Sequence, residues 1–162
     1  MFDSELDLKV DGDYYVSVLF RRTDVTGTSA FEFQLSDNKN IKSLFGCDEN
    51  GAFIAGIDAR SNGLAMTNNE TYFVVVKIVG NASGDDEIFL KAYRSNQTVP
   101  DDDSNFTGAQ GTTANEWSVV GQTSGTGAKL NQIRLQQFGT DSLYDVDELR
   151  IDVRESFALT EI

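Results

Sequence analysis

The chain reads as an all-β protein, a two-sheet antiparallel β-sandwich of jelly-roll type, and three observations lead there. Short stretches rich in Val, Ile, Phe and Tyr recur along the whole length, separated by clusters of Gly, Asn, Asp and Ser. Several of these stretches alternate apolar and polar residues with a period of two, and none sustains a helical period. Many short strands, each with one apolar face, bury that face by stacking two sheets.

Each element follows from its own residues. Residues 14–21 predict a strand with Tyr14, Val16, Val18 and Phe20 on one face and Ser17 and Arg21 on the other. Residues 31–35 alternate more cleanly, with Phe31, Phe33 and Leu35 inward and Glu32 and Gln34 outward. Further strands are expected at 41–47, 52–57, 72–79, 87–93, 117–120, 130–137 and 146–153. Residues 96–115 form a long connection with the only proline, Pro100, and the acidic run Asp101, Asp102 and Asp103. A connection of that length is functional or disordered. The Gly, Ser and Thr of residues 122–129 predict a flexible turn. At 162 residues, with no internal repeat and no shift of composition, the whole chain 1–162 is expected to be one domain.

Composition narrows the function. There are 26 acidic and 13 basic residues and no histidine, a formal charge of −13. Such a chain repels a phosphate backbone, so nucleic acid is not an expected partner; cations, neutral sugars or a salty surrounding suit it better. The acid equally serves plain solubility. The longest apolar run, near residues 72–79, is broken by Lys77 and falls short of the roughly 20 residues of a membrane helix. Residues 1–13 lack the basic start and apolar stretch of a signal peptide, as expected of an excised module or a processed secreted chain. Asn-x-Ser/Thr triplets begin at Asn69, Asn81, Asn96 and Asn105. Chance alone supplies some of these in a chain so rich in Asn, Ser and Thr. Cys47 is the single cysteine, so no disulfide forms within the chain, and without a histidine partner it reads as a small apolar core residue.

The C-terminal strand holds an anomaly. Counting by two from Leu149, Ile151 and Val153, which belong to the core, places Asp147 on the same apolar face. An ionised carboxylate there needs a cation or several hydrogen-bond donors. Two readings follow: a calcium ligand, since calcium collects carboxylate and backbone oxygens, or a strand-mouth carboxylate that accepts backbone amides of a turn.

Val146-Asp147-Glu148-Leu149-Arg150-Ile151 and the following Ser156-Phe157-Ala158-Leu159-Thr160-Glu161-Ile162 resemble the closing strand and tail of laminin G-like domains of the concanavalin A-like superfamily. The stretch Tyr14-Tyr15-Val16-Ser17-Val18-Leu19-Phe20-Arg21-Arg22 resembles an early strand of bacterial members. The resemblance implies a jelly-roll sandwich that carries a structural calcium, with Asp147 at the last-strand position and Gly12, within Asp11-Gly12-Asp13, as the turn carbonyl. It also implies a secreted or cell-surface module of a larger protein.

No enzyme is expected. Lack of histidine removes the commonest general base and the usual Ser-His and Cys-His pairs. Carboxylate catalysis needs two carboxylates flanking the scissile bond, and in the family 16-like glycoside hydrolase pattern they sit on one strand as Glu-x-Asp-x-Glu or Glu-x-Asp-x-x-Glu. Glu5-Leu6-Asp7 begins that pattern, but Lys9 and Val10 stand where the second glutamate belongs.

A binding role remains. Sugars are held by an aromatic face beside planar amides and guanidinium groups. Residues 130–137 place Gln132, Arg134 and Gln136 on one face, opposite Ile133 and Leu135, and Gln34 and Glu32 extend that surface. Trp117, Tyr93 and Tyr144 are the candidate platforms, with Trp117, the only tryptophan, equally readable as core. A plain solvated sheet is the alternative for the glutamine-arginine face. The chain is therefore expected to be a carbohydrate-binding or adhesive module for a polysaccharide or glycan. The other expectation is a structural or protein-interaction domain, with the Asp101–Asp103 loop as its contact region.

Overall fold

The computed structural model describes residues 6–10, 12–25, 29–37, 40–57, 60–82, 85–123, 129–139 and 142–152. They form strands β1 (Leu6–Asp7), β2 (Gly12–Val25), β3 (Ala30–Ser36), β4 (Ile41–Cys47), β5 (Ala52–Ala55), β6 (Arg60–Ala65), β7 (Thr71–Gly80), β8 (Glu87–Arg94), β9 (Val119–Gln122), β10 (Lys129–Leu130), β11 (Gln132–Phe138) and β12 (Ser142–Asp152). Every strand expected from the sequence is present, and three others join them. β1 and β10 pair with each other over two residues. β6 carries the sequence Arg-Ser-Asn-Gly-Leu-Ala, which has no apolar alternation, and is a strand because it pairs with β5. No helix among the described residues is long and apolar enough to cross a membrane.

Two antiparallel sheets of five strands stack on each other, in the orders β11-β3-β4-β5-β6 and β12-β2-β7-β8-β9. The interior follows the period-two reading. Tyr14, Val16, Val18 and Phe20 of β2 are buried against Phe31, Phe33 and Leu35 of β3, with Phe45, Phe53, Val74, Val76, Ile78, Ile88 and Leu90 around them. Each such side chain contributes about 1.5–3 kcal/mol by leaving water. The rings interlock: Phe33 stacks on Phe45 at 4.7 Å, and Phe20 on Tyr144 at 5.6 Å. Cys47 lies fully buried here, and burial pushes its thiol up to about 11, which keeps it protonated and inert.

One side of the sandwich is sealed where the ends of β5 and β9 meet. The amide of Ile57 donates to the carbonyl of Gln122 at 2.9 Å. Gly56 and Gly121 face each other there: a methyl on Gly56 would lie 2.8 Å from the Gln122 carbonyl, and one on Gly121 would strike the carbonyl of Ala55. Gly56 also sits at φ 88°, a conformation costly for any residue with a Cβ. The opposite side ends in the two edge strands β11 and β12.

The β7–β8 pair is buried on both faces. Its outer residues Val75, Phe89 and Tyr93 join Tyr15 and Trp117 in a second apolar cluster, against which Phe73, Val99 and Phe106 pack. Residues 95–118 thus lie over the outer face of this sheet as an ordered cover.

Candidate functional site

The antiparallel register of β11 and β3 is unbroken and sets Gln132 opposite Ser36, Arg134 opposite Gln34 and Gln136 opposite Glu32. Side chains alternate between faces of a strand, so all six project from the outer face of one sheet. The expected clustering of Gln132, Arg134, Gln136 and Gln34 is what the pairing produces. Arg134 is exposed and Gln132 and Gln136 are half-buried. Gln34 faces outward as expected but is not solvated: only 2% of its surface is exposed. Its Nε2 donates to Glu32 Oε2 at 2.7 Å, and its Oε1 is buried with no hydrogen-bond partner among the described residues.

The charges on this face are distinctive. Arg21, Arg94, Arg150 and Lys77 each lie within 4 Å of a carboxylate, at 2.5, 3.6, 3.4 and 2.6 Å from Asp145, Glu70, Glu148 and Asp13. Arg134 has no such partner among the described residues, although acid outnumbers base two to one in the chain. Its guanidinium therefore retains donors for an incoming group. Phe138 continues the same face at the end of β11 and is 42% exposed, a ring beside the amides and the guanidinium. The sequence reading stopped at residue 137 and missed it.

The expected aromatic platforms lie elsewhere. Trp117 and Tyr93 sit on the other sheet, 2% and 4% exposed, inside the second cluster. Trp117 contacts Phe106 at 4.7 Å and Phe89 at 5.3 Å between ring centroids. Tyr144 belongs to the main core, where its hydroxyl donates to the carbonyl of Ser29 at 2.5 Å. These rings hold the fold and offer no face to a ligand beside Arg134. A signal for this was in the sequence: β7 and β8 carry consecutive apolar residues, Phe73 to Val76 and Ile88 to Leu90, the mark of a sheet covered on both faces.

Asp147 is also displaced from its expected position. It is exposed, while Tyr144, Val146, Leu149 and Ile151 pack on the core. The reason is a β-bulge: Asp147 pairs with Leu19 and Arg150 with Ser17, three steps of β12 against two of β2. Glu148, at φ 51°, absorbs the extra residue. Counting by two across the bulge inverts the face, so Asp147 never enters the core. Its Oδ1 accepts the amide of Glu148 at 2.8 Å, which is the turn-amide reading.

Gly12 begins β2, seven positions from Leu19, so at about 3.3 Å per residue it lies roughly 23 Å from the Asp147 position. The two cannot share one ion, and the donor set implied by the resemblance does not fit a single calcium. Among the described residues no cluster of three or more acidic or cysteine side chains is arranged to hold a metal. The core placement of Val153 and the tail motif 156–162 lie outside the described residues.

Among the described residues the buried carboxylate is Asp86, at the turn between β7 and β8. It accepts the amide of Asn81 at 2.8 Å and the hydroxyl of Thr123 at 3.3 Å, and burial raises its pKa. These bonds tie the β7–β8 turn to the end of β9, a structural role.

No family model, curated protein or solved structure matches this chain. The two-sheet sandwich stands on the structure.

Proposed function

We propose that the chain is a non-catalytic glycan-binding or adhesive module of a secreted or cell-surface protein, with the outer face of β3–β11 as its binding surface. The observation that carries this is the in-register row of Gln132, Arg134 and Gln136 against Gln34, with a guanidinium that no carboxylate among the described residues neutralises. Planar amides and a guanidinium make paired hydrogen bonds to adjacent sugar hydroxyls, and the exposed ring of Phe138 supplies an apolar stop beside them. Absence of histidine and the inert state of Cys47 support binding without chemistry. A scaffold calcium belongs to the same proposal only as an ion held by ligands other than the Asp147 and Gly12 pair.

The test is a broad glycan array read with millimolar calcium and again with EDTA, for the wild-type chain and for Arg134→Ala. Binding to a related set of glycans that Arg134→Ala loses while remaining folded supports the proposal. A blank array from a folded protein rejects it.

A second reading, a structural or protein-interaction domain, is favoured by the apolar side chains left on the open edge. Leu135 and Leu143 are 46% and 65% exposed on the edge strands β11 and β12. A blank glycan array together with capture of a defined protein ligand through β11 would select it.

A further inference from the structure

The segment that covers β7 and β8 does not fill the space beneath it. Between its limbs and β8 lies a cavity of about 410 Å³, lined among others by Lys91, Tyr93, Gln97, Asn105, Phe106 and Thr113. Volumes of this order hold small molecules. The segment above it is firmly built: Trp117 donates to Ala109, Thr107 to Asn115 and Gly111 to Trp117 through backbone amides. Lys77 Nζ anchors it from the sheet by an ion pair to Asp103 at 2.8 Å.

Two donors in the lining are incompletely used. Tyr93 is 96% buried by its 4% exposure, and its hydroxyl has no hydrogen-bond partner among the described residues. A buried hydroxyl left without a partner is costly, so this one calls for a partner that arrives with a ligand. Lys91, 6% exposed, donates to the carbonyls of Thr113 and Glu116 at 2.8 and 2.5 Å, which occupies two of its three N–H bonds. No carboxylate lies within 4 Å of its ammonium among the described residues. Around these donors stand side-chain amides and hydroxyls, the carboxylate of Asp102, and the ring of Phe106.

We infer that this cavity is a second binding site, independent of the β3–β11 face, for one neutral polyhydroxylated ring such as a single pyranose. The ring oxygens take the hydrogen of Tyr93 and the third N–H of Lys91, the ring hydroxyls donate to Asp102 and the amide oxygens of Gln97 and Asn105, and the apolar face rests on Phe106. An anionic sugar is disfavoured because Asp102 shares the lining and the chain carries −13 overall. Burial, with Asp103 nearby, holds the Tyr93 phenol above its ordinary pKa, so it stays a donor throughout the physiological range.

Trp117 reports on the site without lining it, since its ring contacts Phe106. Neutral hexoses, pentoses, N-acetylhexosamines and the corresponding uronates are titrated one by one into the whole chain while its tryptophan emission is recorded. At least one neutral sugar is expected to change the emission saturably at millimolar concentration. Tyr93→Phe is expected to weaken that binding about tenfold, with a melting temperature equal to or above the wild type, and Arg134→Ala to leave it unchanged. No response to any neutral sugar, a response to uronates alone, or wild-type affinity in Tyr93→Phe would each overturn the inference. Loss of array binding in Arg134→Ala with this titration intact would separate the two sites.

Discussion

Replacing Trp117 by alanine separates the two roles open to the only tryptophan of the chain. Its side chain is 2% exposed and touches Phe89 and Phe106, so the substitution leaves a hole between the outer face of β8 and the segment above it. Truncating a buried aromatic to alanine costs about 3–5 kcal/mol. Total stability of a domain is about 5–15 kcal/mol, so the loss is a large share of it. For a chain of this length each kcal/mol moves the melting temperature by about 2–4 °C, so a 4 kcal/mol loss lowers it by about 8–16 °C. Urea unfolding followed by far-ultraviolet circular dichroism measures the difference without needing tryptophan emission. Because the β3–β11 face lies on the other sheet, glycan binding by molecules that remain folded is expected to persist. A loss below about 0.5 kcal/mol, the range of exposed positions, together with abolished glycan binding, would refute the burial argument and restore Trp117 as a platform.

Three further outcomes follow from the geometry. Gly121→Ala drives a methyl into the carbonyl of Ala55, and the overpacking is expected to cost about 1–3 kcal/mol in thermal or urea unfolding; wild-type stability would mean the β5–β9 seam gives way freely. Asp86 has its folded pKa raised by burial above the ordinary 3.8, so the native state holds its proton more tightly than the unfolded chain. Its contribution to stability is therefore present in acid and lost as pH rises through the raised value. Asp86→Asn is expected to gain on the wild type as pH climbs from 3 to 7, and a constant gap between the two would contradict that sign. In calcium titrations followed by melting, any stabilisation by the ion is expected to survive in Asp147→Ala, since that carboxylate is exposed and far from Gly12. Loss of the calcium response in this variant would return Asp147 to the ligand set.

Local pattern carried most of the fold. The inward residues of β2 and β3 were legible because alternation over five to eight residues has one explanation in a half-buried strand. The glutamine-arginine face was legible for the same reason, and its extension by Gln34 followed once β11 met β3. What escaped was whatever depends on a third element. β6 has no strand signal of its own and exists through β5. The bulge at Asp147–Glu148 carries no glycine to announce it, and one inserted residue moved the aspartate from core to solvent. The pattern leaves Trp117 open between platform and core and offers Tyr93 as a platform, because a single strand cannot tell whether a distant segment returns to cover it. Lys91 was overlooked because a lysine in an apolar strand reads as an interruption, whereas here it is buried and fastens that returning segment.

The central claim is that a glycan lies on the outer face of β3 and β11. The most direct measurement is backbone amide chemical-shift mapping of the isotope-labelled chain during titration with the strongest ligand from the glycan array. The account predicts that the saturable shifts concentrate at residues 32–36 and 132–138, and that they vanish in Arg134→Ala. Shifts that leave those residues unmoved and fall on another surface of the sandwich would contradict it.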